Sequence, residues 1–197
     1  MHPWWNFVTD FGDTAVTVPL AFAMACFLAA TKHLRLALGW CLAIAGCAGA
    51  MAALKLAFVA CGAPLIGPVL TSPSGHTAMG IAIYGGYAAI LGTRLPSVAR
   101  AALITAAVLF AIGIALSRIV LHDHSPLEVV VGLAVGSATL ALLVAIVARF
   151  PPSPLPTGHL VGAAIVIALL FHGERWPAEQ ALRRLAGWFD LLRPWCS

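Results

Sequence analysis

Charge is scarce in this sequence. Of its 197 residues only 9% are charged, while 61% are hydrophobic, and the mean hydropathy is +0.98. A soluble domain carries about 25% charged residues, because its surface must face water. So few charges cannot cover a water-facing globule, and lipid must be the solvent for most of the surface. Lys and Arg are absent before Lys32. The first apolar run, from Thr14, therefore lacks the basic leader and cleavage pattern of a signal peptide and reads as a helix. Zinc-type cysteine spacing is missing too. Cys26, Cys41 and Cys47 fall within apolar runs and read as small apolar residues, and nothing in the spacing argues that Cys61 and Cys196 pair.

Long uncharged runs are what the chain has instead. Thr14–Thr31, Leu36–Leu54, His76–Thr93, Ala101–Ser117 and Val129–Ala148 each approach the roughly 20 residues that cross a bilayer, and Gly158–Phe171 is a shorter sixth. An amphipathic soluble helix would show polar residues every turn, and these runs do not. The expected fold is an all-α polytopic membrane bundle of about six transmembrane helices, with short interfacial helices at both ends. One membrane domain is expected over 1–197, with an interfacial N-terminus at 1–13, the bundle at 14–173 and an amphipathic tail at 174–197. Trp4, Trp5, Phe7, Val8 and Phe11 suit the headgroup level. In the tail, Leu182, Leu185, Phe189 and Leu192 recur at helical spacing, which fits a surface-lying helix or one packed on the bundle. Gly132/Gly136 and Gly158/Gly162 match the spacing of close helix contacts.

Charge placement orients the bundle. Lys32, Arg35, Arg94, Arg100 and Arg149 follow the first, third and fifth runs, with no acid among them. Asp10, Asp13, Asp123, Glu128, Glu174, Glu179 and Asp190 fall on the other side. The positive-inside rule puts the short basic loops in the cytoplasm, and both chain ends outside. Arg175, Arg183, Arg184 and Arg193 in the tail run against this assignment. The first helix, with two basic residues just after it, decides it. A bacterial cytoplasmic (inner) membrane is the expected location.

Polar residues beside spans cost free energy and need a reason. They collect on the acidic side in two loops, Thr71-Ser72-Pro73-Ser74-Gly75-His76-Thr77 and Ser117-Arg118-Ile119-Val120-Leu121-His122-Asp123-His124-Ser125-Pro126-Leu127-Glu128. Lys55, near the outer end of the second run, joins them. Cations to hold an oxyanion and imidazoles to move protons together suit phosphate chemistry. Singly, each has a plainer reading. Ser74 or Thr77 can cap a helix, Arg118 can snorkel to headgroups, and Glu128 can answer a helix dipole.

The pattern resembles the type 2 phosphatidic acid phosphatase superfamily, which includes bacterial lipid phosphatases and vanadium haloperoxidases. Its motifs are Lys-x6-Arg-Pro, Pro-Ser-Gly-His and Ser-Arg-x5-His-x3-Asp. Pro73-Ser74-Gly75-His76 matches the second completely, and Ser117, Arg118 and His124 match the third, with Glu128 in place of Asp. The resemblance runs from Lys55 to Glu128. The first motif departs from the pattern: Gly62 stands where arginine is expected, and Ala63 where proline is.

The resemblance implies His124 as nucleophile, His76 as proton donor and acceptor, and Glu128 as the group that orients His124. It implies Lys55, Arg118, Ser74 and the Gly75 amide as holders of the phosphoryl oxygens, with no metal and no cofactor. The substrate would be a lipid phosphate, such as a polyprenyl pyrophosphate or phosphatidic acid, among membrane lipids and with no nucleic-acid partner. His122 and Asp123 lie outside the motif. Three rivals remain: a zinc site of His76, His122, Asp123 and His124, a small membrane transporter, and a lipid-phosphate-binding protein without turnover.

Overall fold

The structure is a computed structural model that describes residues 3–66, 72–153 and 155–176, with only the backbone for 59–66. Among the described residues every regular element is a helix. In chain order these are α1 (Pro3–Asp10), α2 (Thr14–Ala30), α3 (Leu34–Ile66), α4 (Gly75–Leu91), α5 (Ser97–Val120), α6 (Pro126–Arg149) and α7 (Thr157–Phe171). A short 3-10 turn, Gly92–Arg94, links α4 to α5.

The boundaries follow from local chemistry. Asp13, Ser74 and Ser125 sit in extended conformation and cap α2, α4 and α6 with their side-chain oxygens, satisfying N–H groups that a helix start leaves unpaired. Pro126 adds a first-turn residue whose fixed φ suits a helix and whose missing N–H is not needed there. Lys32 and His122, at φ 64° and 59°, turn the chain left-handed after α2 and α5.

The six expected runs correspond to α2–α7, and the membrane character is plain from length and composition. Pro3–Ala30, Leu34–Phe58, Ser97–Val120 and Pro126–Arg149 are each long and apolar enough to cross a bilayer. Large apolar side chains such as Phe22, Leu42, Leu109 and Leu169 point outward, each more than 60% exposed, as a lipid-facing surface requires. α4 and α7 are shorter, at 17 and 15 residues. α4 is the central helix, packed against α2, α3, α5 and α6, so its surface is spent on neighbours rather than on lipid.

Two departures from expectation bear on the site. α3 runs on past Leu54 to Ile66, so Lys55 projects from within the helix rather than from its outer end. The N-terminal residues form α1, which packs on α5 with Thr9 and Asp10 buried while Trp4 and Phe7 stay exposed. The amphipathic stripe expected at Leu182–Leu192 lies outside the described residues.

The core is built on Met24, Leu28, Leu36, Trp40, Ile83, Ile90 and Leu143. Its polar atoms find backbone partners. Trp40 Nε1 donates to the Ala21 carbonyl at 2.9 Å, and the Tyr87 and Tyr84 hydroxyls donate to the Leu20 and Phe11 carbonyls, both at 2.7 Å. Hydrocarbon offers no competing donors or acceptors, so such bonds must be internal.

Glycine brings α6 against α4. A Cβ on Gly132 would lie 2.5 Å from the Ser74 carbonyl oxygen, and one on Gly136 would lie 2.7 Å from that of Ala78. Of the two glycine pairs flagged by spacing, this one makes the close contact; Gly158 and Gly162 have no described atom within reach. Gly132→Ala should therefore push the start of α4 away from α6. We expect a destabilisation of about 1–3 kcal/mol, the usual cost of overpacking, in thermal unfolding of detergent-solubilised protein. Gly162→Ala should leave the transition unchanged or raise it, and equal behaviour of the two variants would contradict the packing described.

Candidate active site

At one end of the bundle the starts of α2, α4 and α6 and the last turn of α5 come together, and Glu128 is where they join. Ser125 and Glu128 form a capping box at the start of α6. The Glu128 N–H donates to Ser125 Oγ at 3.4 Å, and Glu128 Oε2 accepts from the Ser125 N–H at 3.0 Å. The same oxygen accepts from His124 Nδ1 at 3.0 Å, and Oε1 accepts from the Ser72 N–H at 2.8 Å. The Glu128 main-chain carbonyl also accepts from the Ser74 N–H at 3.1 Å. One residue thus ties both motif loops together. A capping box calls for Glu or Gln three residues after its Ser, which explains glutamate where the related motif has aspartate.

The contact also fixes the chemistry of His124. With Nδ1–H donating to Glu128, the lone pair of the neutral ring lies on Nε2. Both side chains are buried. Burial pushes the His124 imidazole below its ordinary 6.5; the charges of Arg118 and Lys55 push the same way, against the Glu128 hydrogen bond. A neutral imidazole with a free Nε2 is a nucleophile or base at neutral pH.

Arg118 owes its place to the end of α5. Its carbonyl accepts from the Asp123 and His124 N–H groups, both at 3.1 Å, so the loop folds back over it. Its Nη1 donates to Thr9 Oγ1 at 2.9 Å and pairs with Asp123 Oδ2 at 3.0 Å. His122, left-handed and exposed, forms the turn.

His76 is the second residue of α4. Its Nε2 lies 3.5 Å from Asp13 Oδ2, and it is within electrostatic reach of Arg118 and His124. Lys55 approaches from α3, its Cε 4.0 Å from where a Gly75 Cβ would stand. Gly75 opens α4, and its amide belongs to a helix N-terminus, which favours anions. Ser74 is fully buried and serves as the α4 cap, accepting from the Thr77 N–H at 3.4 Å and the Thr77 hydroxyl at 3.0 Å. Gly62 falls where side chains are outside the described residues.

The structure therefore draws His124, Glu128, His76, Arg118, Lys55 and Gly75 toward one place, with Ser74 beneath them as a cap. Among the described residues no three His, Cys, Asp or Glu side chains converge as a metal site would, so the zinc set is not assembled. A cavity of about 560 Å³ opens between α4, α5 and α6, but its lining, from Ile81 to Pro151, shares no residue with this cluster.

Sequence reasoning passed over Asp13 and Thr9. Asp13 carried a signal, as an acid directly before an apolar run on the same side as the motif loops. Thr9 carried none. Ser125-Pro126-Leu127-Glu128 also carried a capping-box signature that was not used.

Comparison with known proteins identifies the family. The family model for the PAP2 superfamily matches residues 36–152. A Klebsiella pneumoniae protein described as "Uncharacterized 22.5 kDa protein in cps region" is 32% identical over 188 residues, covering 92% of this chain and 90% of that one. No solved structure matches.

The Glu128 network can be tested by changing one atom of its acceptor set. Glu128→Gln places an amide NH₂ against N–H donors, whereas Glu128→Asp keeps the charge but shortens the reach. A buried donor left unsatisfied costs about 1–3 kcal/mol. Glu128→Gln should lose that much stability and most function, and Glu128→Asp should retain more of both, in unfolding and phosphate-release assays. The opposite order would contradict the assigned bonds.

Proposed function

Because the chain belongs to the PAP2 superfamily, we propose that it is a membrane lipid phosphatase that works through a phosphohistidine on His124. The observation that carries the reading is the buried His124–Glu128 contact, which leaves Nε2 of a neutral imidazole for attack beside Arg118 and Lys55. The substrate class is a lipid phosphate monoester or pyrophosphate, a polyprenyl pyrophosphate, phosphatidic acid or similar. Its phosphate would lie at headgroup level and its chain in the bilayer.

The reaction follows from these roles. His124 Nε2 attacks phosphorus, forming a P–N bond as the P–O bond to the leaving group breaks. Protonated His76 gives its proton to the departing oxygen. Glu128 stabilises the positive charge that develops on His124. Lys55, Arg118 and the Gly75 amide offset the charge on the phosphoryl oxygens. Water then attacks the phosphohistidine and passes a proton to the now neutral His76. Inorganic phosphate leaves, and both histidines return to their starting states. No step calls for a metal.

The rival reading as a binding protein without turnover is favoured by Gly62 and Ala63 in place of the family's Arg and Pro. A transporter is less suited, because the charged groups gather at one end of the bundle rather than near the midplane.

Purified protein in detergent should release phosphate from a lipid phosphate with a chelator present. His124→Ala should abolish release, and His76→Ala should lower it by about 10²–10⁴-fold. Protonation of His124 removes the nucleophile, and its pKa lies below 6.5. Release should therefore persist as pH falls past 6.5 and fail only lower, seen as the acid limb of kcat/KM. Full activity in His124→Ala would overturn the reading. With the basic loops in the cytoplasm, intact cells should hydrolyse an impermeant lipid phosphate added outside; hydrolysis only after lysis would invert the orientation.

A further inference from the structure

The reaction sequence above gives His124 a partner, Glu128, but assigns none to His76. The structure supplies one from outside the residues matched by the family. Asp13 caps α2, and its two oxygens do different things. Oδ1 accepts from the Ala15 N–H at 2.8 Å, with the Thr14 hydroxyl and the Trp176 N–H at 3.3 Å. Oδ2 faces His76 Nε2 at 3.5 Å. The neighbouring Gly12 packs on the same ring. A Cβ built there would lie 3.1 Å from His76 Cβ and 3.2 Å from its Cδ2. The Gly12–Asp13 turn therefore lies against the Cδ2–Nε2 edge of the imidazole, and Nδ1 is the ring's other nitrogen.

We infer that Asp13 is a positioning residue for His76, holding the ring by Nε2 so that Nδ1 carries the proton to and from the reacting oxygens. The inference rests on the phosphatase reading. The two histidines would then be held in opposite senses, His124 by Nδ1 and His76 by Nε2. Among the described residues, the charged groups that reach His76 are Asp13 from the start of α2, Arg118 from α5 and His124 from the loop before α6. Asp13 is the one negative charge in that set. Burial opposes the imidazolium that must protonate a leaving alkoxide, and Arg118 adds to that opposition, while Asp13 favours it.

Asp13→Asn separates this role from the cap. Asn caps a helix as well as Asp does, so the start of α2 should hold, while the negative charge facing Nε2 is gone. With wild type active, Asp13→Asn should lose about 10-fold in kcat on a lipid alkyl phosphate, since a charged acceptor binds about twice as strongly as a neutral one. Phosphorylation of the enzyme by an aryl phosphate, whose leaving group needs little proton donation, should run nearly as in wild type, read as the pre-steady-state burst of the phenol. The alkaline limb of the alkyl-phosphate profile should move to lower pH, because His76 loses its proton more easily. Thermal unfolding should be unchanged in Asp13→Asn and weakened in Asp13→Ala.

Asp13→Asn matching wild type in rate and alkaline limb, with His76→Ala slow, would overturn the inference and leave the phosphatase reading intact. An equal loss in the phosphorylation step for both substrates, with no movement of the limb, would reduce Asp13 to a cap and overturn it as well. Absence of phosphate release by wild type would overturn the phosphatase reading and this inference together.

Discussion

A carboxylate taken out of water must have its lone pairs answered by N–H groups, or its burial costs several kcal/mol. Glu128 meets that requirement with donors from His124, Ser125 and Ser72, three points on two separate loops. Much of the polar end follows from this. The loop before α4 cannot move away from α6 without stranding the carboxylate. His124 cannot flip without losing Nδ1. The start of α4 must come so close to α6 that Gly132 has no room for a side chain. The same bonds that cap α6 hold the proposed nucleophile, so one group would serve both stability and chemistry.

The remaining bundle makes this possible by being ordinary. Apolar helices solvated by lipid need few specific contacts on their outer faces, and the buried hydroxyls and indole of the core bond to carbonyls of α2 and its entry turn. Among the described residues the charged groups gather toward the two ends, with Lys55 reaching the site end from within α3. At the end opposite the site, His33 meets Ser153 and Arg94 donates to the Pro152 carbonyl, which joins the basic connections to one another. The site end is built from helix starts and one helix finish. Its amides, caps and turns are oriented by the fold itself, as the proposed electrostatic stabilisation of a phosphoryl group would require.

Much of this was legible in the sequence, for physical reasons. Uncharged runs in a chain this apolar have few alternatives to membrane helices, so α2–α7 could be placed closely. The linked motifs around His76 and His124 carried the site because turn residues and chemistry coincide in them. Contacts between distant segments were less legible. Lys55 was expected at a helix end, but small and apolar residues carry α3 on to Ile66. Asp13 and Thr9 lie in the first residues, far in sequence from both motifs, and only the packing of α1 and α2 on α5 and α4 brings them to His76 and Arg118. Ser74 could be read as either a cap or a phosphate ligand, and its hydroxyl does cap α4 by accepting from the Thr77 N–H.

The central claim is that His124, poised by Glu128, takes the phosphoryl group covalently. In His76→Ala, an aryl phosphate should still phosphorylate His124, because such a leaving group needs little help, while hydrolysis is slowed for want of a base. Quenching that variant in alkali during turnover and mapping its peptides by mass spectrometry tests the claim directly. The account predicts one phosphoryl group on the peptide bearing His124, absent when His124 is also alanine. Phosphate release with no phosphorylated peptide, or with the label on another residue, would contradict it.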